Sequence, residues 1–215
     1  MIPLVPAFIP NSATEARAIL TALSFTNEVH LDVVDGEFVP FVSWPLAPQG
    51  DPGEVKALTD RFTLEVDLMV SDPIPLAERF VASGADIIVF HVETISPSAL
   101  KRFADNNPVS VVVSLHNQTD LKILSEYRAF TDGVQLMGIA QIGSQGQPFD
   151  ARVLERIVQI KHQYPDWLVS VDGSVKRETI PSLVEAGAER LICGSAIVKA
   201  PDPEKAYRSL LELIN

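Results

Sequence analysis

A short apolar run followed by an amphipathic segment recurs along the whole chain, and this alternation constrains the fold more than any other feature. The apolar runs begin near Leu4, Val29, Leu64, Ile87, Val109, Val134, Trp167 and Leu191. They are rich in Val, Ile, Leu and Phe, the composition of parallel strands covered on both faces. Between them lie helix signals. Ser12-Ala13-Thr14-Glu15 reads as a capping box opening a first helix. Residues 73–83 read as a helix closed by Gly84, residues 150–164 as the longest amphipathic helix, residues 179–186 as a helix followed by Gly187, and residues 203–214 as the last. Fainter helical patterns cover residues 52–59, 97–104 and 120–127. Eight strand–helix units in 215 residues predict an α/β fold, a compact (β/α)8 TIM barrel forming one domain over residues 1–215. A doubly wound open sheet is the alternative. Against it, no Gly-x-Gly-x-x-Gly turn follows the first strand.

Hydrophobic residues make up 47% of the chain, enough for a sizeable core and too many for a disordered segment. The 17 Lys+Arg against 28 Asp+Glu leave a formal net charge of -11, which argues against nucleic acid as a partner. The same charge raises the question of how an anionic small molecule is held. Backbone N–H groups at loops and helix starts answer it without Lys or Arg. The single cysteine, Cys193, excludes an internal disulfide and a multi-cysteine zinc site. Within Leu191-Ile192-Cys193-Gly194 it reads as a small buried strand residue rather than a nucleophile. The first residues lack the basic and apolar regions of a signal peptide, and no apolar run reaches the ~20 residues that span a bilayer. With the lone thiol, this predicts a soluble cytoplasmic protein with no membrane partner.

In such a barrel, chemistry sits at the C-terminal ends of the strands. Strand two reads Val29-His30-Leu31-Asp32-Val33-Val34-Asp35-Gly36, which puts His30 and Asp32 on one face. Strand three, Leu64-Glu65-Val66-Asp67-Leu68, puts Glu65 and Asp67 on one face. Carboxylates within so apolar a run are costly unless paired or bound to metal. Strand seven ends in Asp172 just before Gly173. His30, Asp32, Asp67 and Asp172 are therefore candidates for a metal or acid–base site, against the competing account of satisfied core pairs. His91, in Phe90-His91-Val92-Glu93, reads as a structural histidine bonded to a neighbouring strand, with a pocket residue the alternative, and His116 and His162 have no chemical context. Gly173-Ser174 and Gly194-Ser195 follow strands seven and eight, where barrels often bind phosphate through backbone N–H groups. The loop at residues 142–147, carrying Gly143, Ser144 and Gly146, reads either as a lid or as an ordinary surface connection.

These residues resemble the ribulose-phosphate 3-epimerase family over nearly the whole chain. The resemblance is carried by His30-Leu31-Asp32-Val33-Val34-Asp35-Gly36-Glu37-Phe38-Val39-Pro40, by Asp67-Leu68-Met69-Val70 with Asp72-Pro73, and by Phe90-His91-Val92-Glu93. It continues in Gly146-Gln147-Pro148-Phe149, Val171-Asp172-Gly173-Ser174-Val175-Lys176 and Gly194-Ser195-Ala196-Ile197. It implies the ribulose-phosphate-binding type of TIM barrel and an isomerase that inverts the carbon next to a ketose carbonyl. It implies Asp32 and Asp172 as acid and base on opposite faces of a sugar phosphate, passing protons through a metal-stabilised enediolate. His30, Asp32 and Asp172 match three ligands of a divalent cation, which would be Zn, Mn, Mg or Fe. Gly143, Gly146, Gly173, Ser174, Gly194 and Ser195 match the substrate- and phosphate-binding loops. A homo-oligomer, dimer or hexamer, is also implied.

The departures are specific. The family's strand-three His is Asp67, its first-strand Ser is Ala7, its second-strand Met is Val34, and Ala140-Gln141-Ile142 stands near its Asn-Pro-Gly. Asp67 in the ligand set leaves one extra negative charge and favours hard ions such as Mg²⁺ or Mn²⁺ over Zn²⁺. Two rival readings follow: a decarboxylase or synthase of a ketose phosphate on the same barrel, and a catalytically altered or inactive relative that binds a sugar phosphate. Strand two has no Lys beside Asp32, which disfavours the first.

Overall fold

The computed structural model describes residues 2–143 and 145–214. Eight parallel strands close on themselves in chain order: β1 (Leu4–Phe8), β2 (Glu28–Val34), β3 (Thr63–Met69), β4 (Ile87–His91), β5 (Ser110–Leu115), β6 (Gly133–Met137), β7 (Leu168–Asp172) and β8 (Arg190–Cys193). Leu4 pairs with Leu191 and Val5 with Ile192, which shuts the ring between β1 and β8. This is the (β/α)8 TIM barrel that the alternation predicts.

The outer helices are α1 (Ala13–Ala22), α2 (Lys56–Thr59), α3 (Pro73–Ala82), α4 (Pro97–Asn106), α5 (Arg152–Gln163), α6 (Ile180–Ala186), α7 (Ser195–Val198) and α8 (Pro203–Leu211). Proline at the first turn starts α3, α4, α6 and α8, where its missing N–H costs nothing. Two local expectations are corrected and one element is added. The Ser12 hydroxyl accepts from Glu15 N at 3.1 Å, but the Glu15 carboxylate accepts from Asn11 N at 2.7 Å. The reciprocal half of that capping box is thus displaced by one residue. A complete box forms at Asp51 and Glu54 instead. The helix expected at residues 120–127 is a 3₁₀ segment, Leu121–Glu126, capped by Asp120. Tyr127 ends it by turning inward, its hydroxyl donating to Ile95 O at 2.7 Å. Finally, α7 is an extra turn directly after β8.

The two-residue strand period sorts the side chains into two environments. Leu31, Val33, Val66, Leu68, Ile88 and Phe90 join the apolar layer between strands and helices. Val5, Ala7 and Ile192 form a separate small cluster. The alternate positions on β2, β3, β4 and β6 mix buried apolar residues with buried polar ones, among them His30, Glu65, Asp67, His91 and Gln135. Burying polar groups in this way is costly unless they pair with one another. No helix among the described residues is long and apolar enough to cross a membrane.

Candidate active site: carboxylates at the barrel mouth

The parallel register sets His30 beside Glu65 and Asp32 beside Asp67. His30 Nδ1 lies 2.9 Å from Glu65 Oε1, and its Nε2 lies 3.1 Å from Asp32 Oδ1 and 3.9 Å from Asp67 Oδ2. Asp67 has further partners. His91 Nε2 stands 3.1 Å from its Oδ1, and Gln135 Nε2 donates to its Oδ2 at 2.7 Å. His91 therefore binds a neighbouring strand. His116 is a ring partner of Phe38 at 5.3 Å, and His162 is exposed on α5.

Burial dominates the electrostatics. It disfavours the His30 cation, yet the bonds to Asp32 and Glu65 hold its pKa well above the ordinary imidazole value. Burial would also raise Glu65, but the bond and charge of His30 and the charge of Arg190 hold it below its usual range. Asp32 is raised by burial, against the bond from His30. Burial, then the charge of Asp32, pushes Asp172 well above the ordinary carboxylate range.

The donor set fits a divalent cation. One atom from each of His30, Asp32 and Asp67 lies within 4.8 Å of the others, and all three residues are buried. With Nδ1 tied to Glu65, Nε2 is the nitrogen that would exchange its proton for a cation and present a lone pair to it between the two aspartates. Carboxylates orient metal-binding imidazoles in this way. Asp172, expected as a fourth ligand, is not one of these three residues; it shares their neighbourhood through the charges of Asp32, His30 and Asp67 that act on it.

Asp32 and Asp172 both line one cavity of about 270 Å³ at the strand ends. Gly143, Gly146, Gly173, Ser174, Gly194 and Ser195 line it too. Gly173 (φ 93°) and Ser174 (φ 54°) adopt the left-handed conformation, which turns the chain sharply after β7. Gly194 and Ser195 lead into α7, whose first N–H groups lack helical partners. The loop after β6 reaches across the cavity, with Gln145 Nε2 donating to Ala7 O at 3.2 Å; Ser144 lies outside the described residues.

Three features escaped the sequence reading. Lys176 is the one cation among the described residues lining the cavity. Its signal was its place directly after the Gly173-Ser174-Val175 turn. Gln145 had none beyond its glycine-rich loop. Arg190, which reaches Glu65 with Nη2 at 2.6 Å, stands just before the apolar run at Leu191 and carries no sequence signal of its partner.

A closed barrel with buried carboxylates facing a glycine-lined cavity at the C-terminal strand ends is the layout of TIM-barrel enzymes. The sequence matches the ribulose-phosphate 3-epimerase family over residues 4–198. It is 35% identical over 175 residues to the ribulose-phosphate 3-epimerase of Treponema pallidum, covering 78% of this chain and 77% of that one. To the ribulose-phosphate 3-epimerase of Bacillus subtilis it is 33% identical over 190 residues, covering 85% and 84%. Among solved structures, a 3-hexulose-6-phosphate synthase superposes with TM-score 0.74 over 100% of both chains at 23% identity. KGPDC from Streptococcus mutans superposes with TM-score 0.72 over 100% of this chain and 98% of that one at 14% identity. At such identities the likeness concerns the fold alone. The chain belongs to the ribulose-phosphate 3-epimerase family, a family of carbohydrate epimerases.

Proposed function

We propose that the protein inverts C3 of a ketose phosphate by proton transfer between two aspartates, with ribulose 5-phosphate the first substrate to test. The observation that carries this reading is the placement of Asp32 and Asp172 in one cavity, on strands three apart round the ring. A substrate lying between them offers each aspartate one face of C3. In one direction Asp32 takes the C3 proton, and Asp172, whose burial favours the protonated form, delivers a proton to the far face. The reverse reaction exchanges the roles. A divalent cation held by His30, Asp32 and Asp67 would supply positive charge to offset the enediolate. Backbone N–H groups at Gly173-Ser174 and Gly194-Ser195, with Gly143 and Gly146 beside them, would hold the phosphate. Exposed Lys176 adds a charge at the rim.

The test is incubation with ribulose 5-phosphate in D₂O with Mg²⁺, Mn²⁺ or Zn²⁺. Deuterium entering C3 is the expected result, and none under any of the three ions would sink the proposal for this substrate. A second reading, a binder without turnover, is favoured by apolar Ala7 in the cavity wall and by the extra carboxylate of Asp67. Calorimetric binding of the sugar phosphate with no exchange would select it.

A further inference from the structure

A line of charges runs beneath the mouth. Arg190, 8% exposed, enters from β8. Its Nε and Nη2 lie 3.0 and 2.6 Å from the same oxygen, Glu65 Oε2. Its Nη1 bonds the Glu28 carboxylate. The other oxygen, Glu65 Oε1, is left to His30 Nδ1 at 2.9 Å. The two oxygens of one buried carboxylate are thus divided between a guanidinium and an imidazole.

This division has a direction. Arginine only donates and an ionised carboxylate only accepts. Arg190 therefore donates to Glu65, Glu65 accepts from His30, and the hydrogen sits on Nδ1. Nε2 is then the nitrogen that faces Asp32 and Asp67. We propose that Arg190 and Glu65 are positioning residues that keep a hydrogen on His30 Nδ1, so that Nε2, which faces Asp32 and Asp67, is the nitrogen left to give up its proton and offer a lone pair to a cation. The proposal deepens, and rests on, the reading of His30, Asp32 and Asp67 as a cation site.

Glu65→Gln tests it without changing the side chain's shape. An amide has one accepting end and one donating end. Arg190 still requires an acceptor, so the amide oxygen turns to the guanidinium and the NH₂ meets His30 Nδ1. That nitrogen must now accept, and the ring keeps its one hydrogen on Nε2, the nitrogen a cation needs bare. Removing the guanidinium as well, in Glu65→Gln/Arg190→Met, frees the amide to turn its oxygen back to His30. Arg190→Lys keeps a donor for Glu65 and the original direction.

Two measurements on the full chain read this out: ¹⁵N NMR of the histidine rings, and calorimetry with Mn²⁺. His30 Nδ1 carries hydrogen in the wild type and in Arg190→Lys, is bare in Glu65→Gln, and carries hydrogen again in the double variant. Mn²⁺ binding weakens about 10- to 100-fold in Glu65→Gln, the range for groups that orient a metal-binding imidazole, and largely returns in the double variant. A merely structural salt bridge predicts the opposite order, with the double variant the worse of the two. Nδ1 protonated in Glu65→Gln, or a double variant that binds no better, overturns the proposal. A wild type that takes up no Mn²⁺ counts against the cation reading alone, and the Nδ1 pattern still decides the positioning of His30.

Discussion

Asp67→His addresses the extra charge at the mouth directly. The Asp67 carboxylate is fully buried and accepts from Gln135 at 2.7 Å and faces His91 at 3.1 Å. A neutral imidazole offers one acceptor and one donor in place of two acceptors. Gln135 can answer the new N–H, because its own Oε1 is buried without a partner. If the new acceptor faces the cation, His91 is left as one donor with nothing to donate to. One unmet buried donor costs about 1–3 kcal/mol. In a chain of this size each ~1 kcal/mol moves the melting temperature by about 2–4 °C, so the metal-free variant should melt about 2–12 °C lower. Exchanging an oxygen ligand for a nitrogen shifts preference toward Zn²⁺, and Zn²⁺ at about 100 times its Kd restores about 2.7 kcal/mol. Scanning calorimetry of the metal-free proteins, followed by titration with Zn²⁺, Mn²⁺ and Mg²⁺, measures both effects. Deuterium exchange at C3 should also rise, since a negative charge beside the developing enediolate is gone. An unchanged order of cation affinities in the two proteins would refute the placement of Asp67 among the ligands.

Three further outcomes are expected. Lys176→Met removes one exposed charge, worth about 0.2–1 kcal/mol, so the KM for a sugar phosphate rises up to about five-fold in steady-state assays while kcat holds. Asp150 is bonded to the half-exposed Arg152 and to Asn117, and the Arg152 bond holds its carboxyl down at about 2. A depressed pKa stabilises above the unfolded value and is lost as pH falls through the folded one. Asp150→Asn, losing about 1 kcal/mol after solvent screening, should therefore melt about 2–4 °C lower at pH 7, with the difference gone near pH 2. At Gly138 an added Cβ would stand 2.1 Å from Gly173 O. Gly138→Ala therefore forces the turn after β7 outward, and denaturant melts should show a loss of about 1–3 kcal/mol together with weaker phosphate binding.

The barrel was legible because its strands are short, apolar and evenly spaced, so each boundary could be read locally. The pairs His30/Asp32 and Glu65/Asp67 were legible for a related reason: a period of two fixes which residues share a face before any tertiary contact is known. What stayed hidden depended on contacts distant in sequence. Arg190 and Glu65 are 125 residues apart, and neither strand pattern indicates that they meet. The same holds for the fourth ligand expectation. Asp172 shares a strand-end position with Asp32 and Asp67, but the strand pattern says nothing of how near the closed ring brings β7 to β2. The helix expected at residues 120–127 was misjudged on spacing, since the hydroxyl that turns Tyr127 inward finds its acceptor on a different loop, at Ile95.

The β8 origin of Arg190 bears on how the site comes into being during folding. His30, Asp32 and Asp67 belong to the adjacent strands β2 and β3, so a half-finished barrel can already bring their side chains together. The guanidinium that directs Glu65 arrives from the last strand, together with Gly194 and Ser195. Closure of the ring is therefore the event that brings the guanidinium to Glu65 and sets Gly194 and Ser195 in the cavity wall. Without β8, Glu65 has His30 beside it but no arginine on its second oxygen, and the cavity lacks one of its two Gly-Ser turns.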